Sequence, residues 1–332
     1  MLSDVMRSVR VREFGSPKVL KLENDVAKPA ITGKNQVLVR LEYAGVNPVD
    51  TYVREGAHAT LPALPYTPGR DGAGTVQAIG SAVTTVTVGE RVFCVWATQG
   101  TYAEYCVAEA THVHPLPEHV SFAQGASVGI PYFTAHRALF LKCRTKPSDS
   151  VLIHGATGAV GLATCQLAKM YGVKLIIGTG SSAEGMKLAE RSGATALFNH
   201  TEKGYEQKIM EATGGRGVDV IVEMLADVNL AKDMRLLARN GRIAIVGCRG
   251  SIEVEPRVLM GKESSVTGVA LLTATADEIV EGAKMICAGL KSRALCPVVA
   301  REYSLSDASS AHVDVIRQQG GARGKLVMRI RD

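Results

Sequence analysis

The chain has no C-x-x-C pair: its cysteines, Cys94, Cys106, Cys143, Cys165, Cys248, Cys287 and Cys296, are scattered and odd in number. That spacing excludes a thiolate zinc lobe, argues against a disulfide framework and fits thiols kept reduced. Apolar runs long enough to cross a bilayer are missing, and the polar, Arg-containing start over residues 1–12 lacks a signal-peptide apolar core, so the expected compartment is the cytoplasm. A dense basic block is missing too. The net charge is +6, yet Lys and Arg are dispersed, thickest at Arg7 to Arg12 and Arg323 to Arg331, without aromatic-basic clusters. A solvated surface explains this better than a dedicated nucleic-acid face. Neither internal repeats nor low-complexity segments occur. What is present, 332 residues with 46% hydrophobic and 21% charged side chains and 34 glycines, suits a two-domain globular α/β protein.

The most informative stretch is Val151-Leu-Ile-His-Gly-Ala-Thr-Gly-Ala-Val-Gly161. A β-branched and aliphatic run reads as a buried parallel strand, breaks at glycines, and gives way to a helical pattern reaching Tyr171. Backbone N–H groups and the positive end of a helix dipole converge at such a turn, and absent Cβ atoms let a pyrophosphate approach. The spacing is G-x-x-G-x-x-G, with Ala156 where a glycine is commonest, and by itself it equally describes an ordinary glycine-rich strand-to-helix turn. Context narrows this. Strands at Lys174 to Gly180, Ala196 to Asn199, Val218 to Met224 and Gly241 to Gly247 alternate with helices at Ala183 to Ser192, Tyr205 to Thr213 and Asn229 to Ala238. Such alternation predicts a doubly wound parallel sheet with a dinucleotide at the strands' carboxyl ends.

The end of the second strand bears on which dinucleotide. NAD sites usually carry an acid about 20 residues past the glycines. Here Gly178-Thr-Gly-Ser-Ser182 has none, and Glu184 already lies in the next helix. Ser181 and Ser182 can donate to a 2′-phosphate with no carboxylate to repel it, which predicts NADPH over NADH; they also suit capping of the following helix.

Residues 1 to about 125 read differently. Met6 to Arg12 and Gln36 to Tyr43 alternate; Gly72 to Gly80, Gly89 to Val95 and Gly100 to Val107 are further glycine-bounded runs, with a Pro-rich connector at Leu61 to Gly69. This predicts a mostly β domain of the partly closed barrel kind. From about Ser121 the texture becomes helical.

Gly45-Val-Asn-Pro-Val-Asp-Thr-Tyr52, Pro65-Tyr-Thr-Pro-Gly69, Gly129-Ile-Pro-Tyr-Phe-Thr134, the Gly155 to Gly161 turn, Glu223-Met-Leu-Ala-Asp-Val-Asn229 and Val246-Gly-Cys-Arg249 together resemble the medium-chain dehydrogenase/reductase superfamily. Within it the chain is most similar to the zinc-free, zeta-crystallin-like quinone oxidoreductases, from about Arg7 to Ile330. The resemblance implies a GroES-like, mostly β catalytic domain over 1–128, completed by about 296–332, and a Rossmann doubly wound parallel-sheet domain over 129–295. The sequence is consistent with such a return: a last parallel strand at Ser265 to Leu271, a helix at Ala276 to Leu290, Pro297-Val-Val, a helix near Ser306 to Gln318 and a strand from Lys325 to Ile330. Positions that hold catalytic zinc in the superfamily's alcohol dehydrogenases correspond to Asn47, Arg70 and Ile130, none a plausible zinc ligand.

The implied activity is metal-free, NADPH-dependent quinone reduction, ortho-quinones included, in the inter-domain cleft. Asn47 and Tyr52 are the implied catalytic or nicotinamide contacts, although Asn before Pro is also an ordinary turn residue and Tyr52 also suits inter-domain packing. Implied cofactor contacts are Tyr52; Thr157, Gly158, Ala159 and Val160 at the pyrophosphate; Ser181 and His200 at the adenosine phosphate; Asn229 at the nicotinamide-side ribose or carboxamide; and Val246, Gly247, Cys248, Arg249, Val269, Ala270 and Leu271 at the nicotinamide end. His200 on its own is equally a surface residue. Arg323 and Lys325 are nearby cations for the phosphate. Arg70 is either neutralised by Asp50 or Asp71 or biases the pocket towards anionic or polar quinones. The same family leaves open reduction of alkenals and enones, binding of AU-rich RNA and a structural crystallin role, and implies a homodimer or homotetramer joined at the strand near Glu263 to Leu271.

Overall fold

A computed structural model describes residues 5–317 and 320–331. Its centre is a six-stranded parallel sheet ordered Ala196–Asn199, Leu175–Gly180, Ser150–Ile153, Val218–Glu223, Leu237–Ile245 and Ser265–Gly268. The chain order reverses between Ser150–Ile153 and Val218–Glu223, which opens a crevice at their carboxyl ends. Both faces are covered, and the alternation of a strand explains how: Val151, Ile153, Ile176, Val220, Val222 and Ala244 enter one apolar cluster, while Leu152, Ile177, Ile221 and Ile243 enter another across the sheet.

The first apolar cluster continues through Val128, Tyr132, Phe133 and Ala135 to Ala73, Phe93 and Val95, which belong to the second large sheet. One buried apolar interior thus joins the two layers. That second, seven-stranded sheet runs Val299–Ser304, Lys325–Arg329, Gln36–Val46, Asp71–Ile79, Arg91–Val95 and Val113–Pro115, with Tyr105–Glu109 also paired to Gln36–Val46. The chain therefore leaves this sheet, builds the parallel one and comes back, and Leu326–Arg329 pairs antiparallel with Tyr43–Val46. A separate hairpin joins Val5–Arg10 to Lys21–Ala27.

Several boundaries differ from the sequence reading. The expected strand from Gly100 to Val107 is a turn followed by Tyr105–Glu109, because Gly100 takes a φ of 84° and the Thr101 N–H bonds back to the Pro68 carbonyl. Lys21–Ala27 was not legible as a strand, since it is largely exposed and carries no alternating apolar face. The helix expected at Asn229 to Ala238 is Ala226–Leu236, with Leu237 and Ala238 opening the next strand. The expected last parallel strand stops at Gly268, and Leu271–Thr273 forms a short 3₁₀ turn. The helix expected to Gln318 is Ala308–Arg317; Gln318 lies outside the described residues. Among the described residues no helix is long and apolar enough to cross a membrane.

Candidate functional site

Gly155, with φ 60°, turns the chain out of the strand, and Gly158 stands as N-cap of the helix Ala159–Tyr171 without a capping side chain. A Cβ on Gly161 would lie 2.3 Å from the Gly155 carbonyl oxygen, so only glycine lets the helix pack this closely on the turn. Gly158 is open by contrast; a Cβ there would meet nothing nearer than the Ala322 Cβ at 3.5 Å. The helix's first internal bond runs from Leu162 to Gly158. The N–H groups of Ala159, Val160 and Gly161 precede it and have no acceptor within the helix. Thr157 is buried, and its carbonyl accepts from the Gly324 N–H at 2.9 Å. The turn is thereby tied to the returning strand of the other sheet.

Ser181 and His200 are both exposed and close, because Asn199 pairs with Gly180 and the His200 N–H bonds to the Gly180 carbonyl at 3.2 Å. Ser182 caps the next helix by accepting from the Gly185 N–H, while Ser181 makes no such bond to that helix. The 320–324 loop lies alongside: a Cβ on Gly321 would come within 3.2 Å of the Ser181 Oγ, and Arg323 is ion-paired with Glu184 at 2.5 Å. Lys325, expected near the same phosphate, is not there; its ammonium is committed to Asn47 and Asp71.

At the other end of the crevice the Asn229 amide donates to Glu223 Oε1 at 3.1 Å, and the Val246 N–H to the Glu223 carbonyl at 2.8 Å. Gly247 is required, since a Cβ would sit 2.2 Å from the Met224 carbonyl oxygen. Cys248 and Arg249 are exposed, the latter's N–H held by Asp227. Val269 extends the ladder through its N–H to the Ile245 carbonyl, and exposed Ala270 leads to Leu271. Leu271, Leu272, Ala274 and Ile279 face Val95, Trp96 and His112 across a cavity of about 230 Å³.

The opposite wall is a buried polar cluster. Lys325 contacts the Asn47 amide oxygen and donates to Asp71 Oδ2 at 3.0 Å; Asn47 Nδ2 also donates to Asp71 Oδ2, at 2.9 Å, and Asp71 Oδ1 accepts from the Ile130 N–H at 2.7 Å. Asn47 is only 2% exposed, with its amide nitrogen on Asp71 and its amide oxygen on Lys325. Its own N–H is accepted by Asp50, in the first turn of the helix Pro48–Glu55 that Asn47 caps. Burial raises the Asp50 carboxyl to about 6 against the opposing pull of Arg70. Tyr52, half-buried on that helix, has no described partner for its hydroxyl. Arg70 stacks on Trp96 at 3.8 Å and lies 3.9 Å from Asp50, so its charge is already answered.

A zinc ion does not fit the residues at the position that holds one in alcohol dehydrogenases. Arg70 is a cation, Ile130 contributes an apolar side chain, and the Asn47 oxygen is taken by an ammonium. Sequence reasoning missed Lys325 as the partner of Asn47 and Asp71. The glycine-framed Gly324-Lys325 was visible, but its target lies some 250 to 280 residues away in the chain. It also missed a second buried cluster, His154, Glu223 and Asp233, below the glycine turn.

Comparison with known proteins agrees with this geometry. Residues 33–118 match the alcohol dehydrogenase GroES-like domain and residues 159–286 the zinc-binding dehydrogenase domain. Quinone oxidoreductase of Rattus norvegicus is 48% identical over 98% of both chains, and that of Homo sapiens 47% over the same shares. Among solved structures, the Escherichia coli quinone oxidoreductase complexed with NADPH is 28% identical, with a TM-score of 0.85 over 97% of this chain and 99% of that one. A mycobacterial protein complexed with NADPH is 31% identical, with a TM-score of 0.86 over 98% and 99%. The chain belongs to the zeta-crystallin-type quinone oxidoreductases of the medium-chain dehydrogenase/reductase superfamily.

Proposed function

We infer that the chain is an NADPH-dependent quinone oxidoreductase that works without a catalytic metal. The observation that carries this is the pairing of an open glycine turn with an opposite wall in which Lys325 stands where a metal's ligand sphere would be. NADPH, when bound, supplies the reducing equivalents. The amides around Thr157, Gly158, Ala159 and Val160 bind its pyrophosphate at the helix N-terminus. Ser181 and His200 receive the adenosine 2′-phosphate, with Arg323 beside them. Asn229, Val246 to Arg249 and Val269 to Leu271 hold the nicotinamide end, and Tyr52 turns its hydroxyl to the cofactor or acceptor.

The acceptor side is the cavity of about 230 Å³ between Trp96 and Leu271, where the Trp96 ring and the side chains of Leu271 and Ile279 can pack on an aromatic ring. A quinone needs little acid–base help, because its reduction creates an aromatic ring and an exposed oxygen can take its proton from water. The protein's part is then placement and exclusion of water rather than Lewis-acid polarisation. The sheet memberships support two domains, residues 1–128 with 296–332 and residues 129–295. The outer edge of Ser265–Gly268, which ends the parallel sheet, supports self-association there.

Replacing Ser181 with Asp tests the cofactor reading. A carboxylate there repels a 2′-phosphate, so the Kd for NADPH should rise at least about tenfold with that for NADH little changed. Equal losses for both nucleotides would contradict the placement. Tyr52→Phe should raise the KM for NADPH or the acceptor severalfold; unchanged kinetics and affinity would remove the polar role.

A further inference from the structure

His154 follows the strand that feeds the glycine turn, Glu223 ends the neighbouring strand, and Asp233 lies on the helix Ala226–Leu236. All three are buried, Glu223 and Asp233 completely. His154 Nε2 is 2.9 Å from Asp233 Oδ1 and 3.8 Å from Glu223 Oε2, yet Nε2, both Asp233 oxygens and Glu223 Oε2 all lack an aligned hydrogen-bond partner. Two ionised carboxylates facing each other in a dry interior repel strongly, and their lone pairs would go unsatisfied.

One proton resolves this. Glu223 Oε1 is saturated as an acceptor, taking the Leu225 N–H and the Asn229 amide, so the proton belongs on Oε2, in the cluster with Asp233. Asp233 Oδ1 also lies 2.9 Å from His154 Nε2, close enough for an ion-pair contact. His154 Nδ1 meets Thr179 Oγ1 at 3.1 Å, and that oxygen takes the Gly155 N–H at 3.3 Å. The result is a continuous run of polar contacts from Gly155, in the turn, to Asn229, at the far end of the crevice.

The electrostatic surroundings agree. Burial pushes the Glu223 carboxyl up to about 7, with Asp233 adding to the rise against the pull of His154. Burial alone would lower the His154 imidazole, but Asp233 and then Glu223 outweigh it and raise it. Lys232, the other charge acting on His154, is paired with Glu206. Facing from the outer elements are the Tyr205 hydroxyl, which burial and neighbouring acids hold protonated, and His200, whose imidazole is pushed down by partial desolvation and then by His154.

We propose that the proton shared by Glu223 and Asp233 is a working part of the dinucleotide site: with it the turn and Asn229 are held in register, without it they loosen, and dinucleotide binding therefore takes up a proton. This rests on reading the crevice as a dinucleotide site. Glu223, Asp233 and His154 are positioning residues, since they act through Asn229 and Gly155.

The test is the Kd of NADH and of NADPH from about pH 6 to about pH 8.5, with proton uptake from calorimetry in buffers of different ionisation enthalpy. NADH has no 2′-phosphate, which removes that group's own titration and its pairing with His200. The wild-type Kd for NADH should rise at least about threefold across this range, with net proton uptake near neutrality. Glu223→Gln carries a fixed donor towards Asp233 and keeps the acceptor for Asn229. It should bind within about twofold of wild type at the acid end and show neither the pH dependence nor the uptake. If that variant does not fold, Asp233→Asn supplies the same fixed donor from the other side. A wild-type Kd for NADH independent of pH with zero uptake, or an unaltered pH dependence in a folded variant, would overturn the proposal. No binding of either nucleotide at any pH would instead defeat the dinucleotide reading, and this inference with it.

Discussion

Lys325 shows how a single side chain can set the character of a cleft. Its ammonium is 3% exposed and sits between the Asn47 amide oxygen and the fully buried Asp71. Removing one partner of a buried pair leaves the other charge without compensation, a loss of about 3–5 kcal/mol. Lys325→Met should therefore lower unfolding stability by about that much in denaturant titration and free Asn47 from its fixed orientation. A loss below about 1 kcal/mol would mean that water or a neighbour replaces the cation. Asn47 and Tyr52 were legible in the sequence as a pair because they share a short motif. Their divergence was not: what separates them is that Asn47 meets Lys325 and Asp71, whereas Tyr52 on the following turns stays half-exposed. Glu223 carries a pH consequence of its own. Its folded-state pKa lies above the ordinary carboxyl value, so its contribution to stability is present in full below about pH 4.5 and declines as the pH rises through about 7. Glu223→Gln should flatten that part of the stability profile, as seen in midpoints of thermal unfolding across the range.

At the scale of elements, the strand, glycine turn and helix at residues 150–171 do what their sequence implied, because the information is local. Each glycine answers to a neighbour a few residues away or to the helix it caps. Gly161→Ala should abolish nucleotide binding or soluble expression, since the added Cβ would meet backbone at 2.3 Å and 2.6 Å rather than a side chain able to move. An alanine variant that binds NADPH as tightly as wild type would show that the turn does not close as described. Elements whose signal is not local were read poorly. Lys21–Ala27 is a strand only because Val5–Arg10 pairs with it, and the 320–324 loop matters only because the returning strand lays it against Thr157 and Ser181. The ion pair between Arg323 and Glu184 is exposed and contributes little to stability, so its place at the adenosine end is its more consequential feature.

For the whole molecule, the crossing of the chain between two sheets puts the turn and the Lys325 wall next to one another. The Gly324 N–H bonds to Thr157 while the next residue reaches Asn47 and Asp71, so one peptide unit links both sides of the cleft. A shared apolar core running from Phe93 and Val95 to Val151 and Ile153 makes the two sheets a single packed body. In this frame the cleft brings together a cavity between Trp96 and Leu271, an open glycine turn and a buried protein ammonium on Asn47 and Asp71. We propose that reduction proceeds there from NADPH without a metal. Its most direct test is nucleotide oxidation with 1,2-naphthoquinone, comparing NADPH with NADH and each with and without a strong chelator. Turnover should prefer NADPH and be unchanged by the chelator; turnover abolished by the chelator and restored by zinc, or an equal rate with NADH, would contradict metal-free reduction from NADPH.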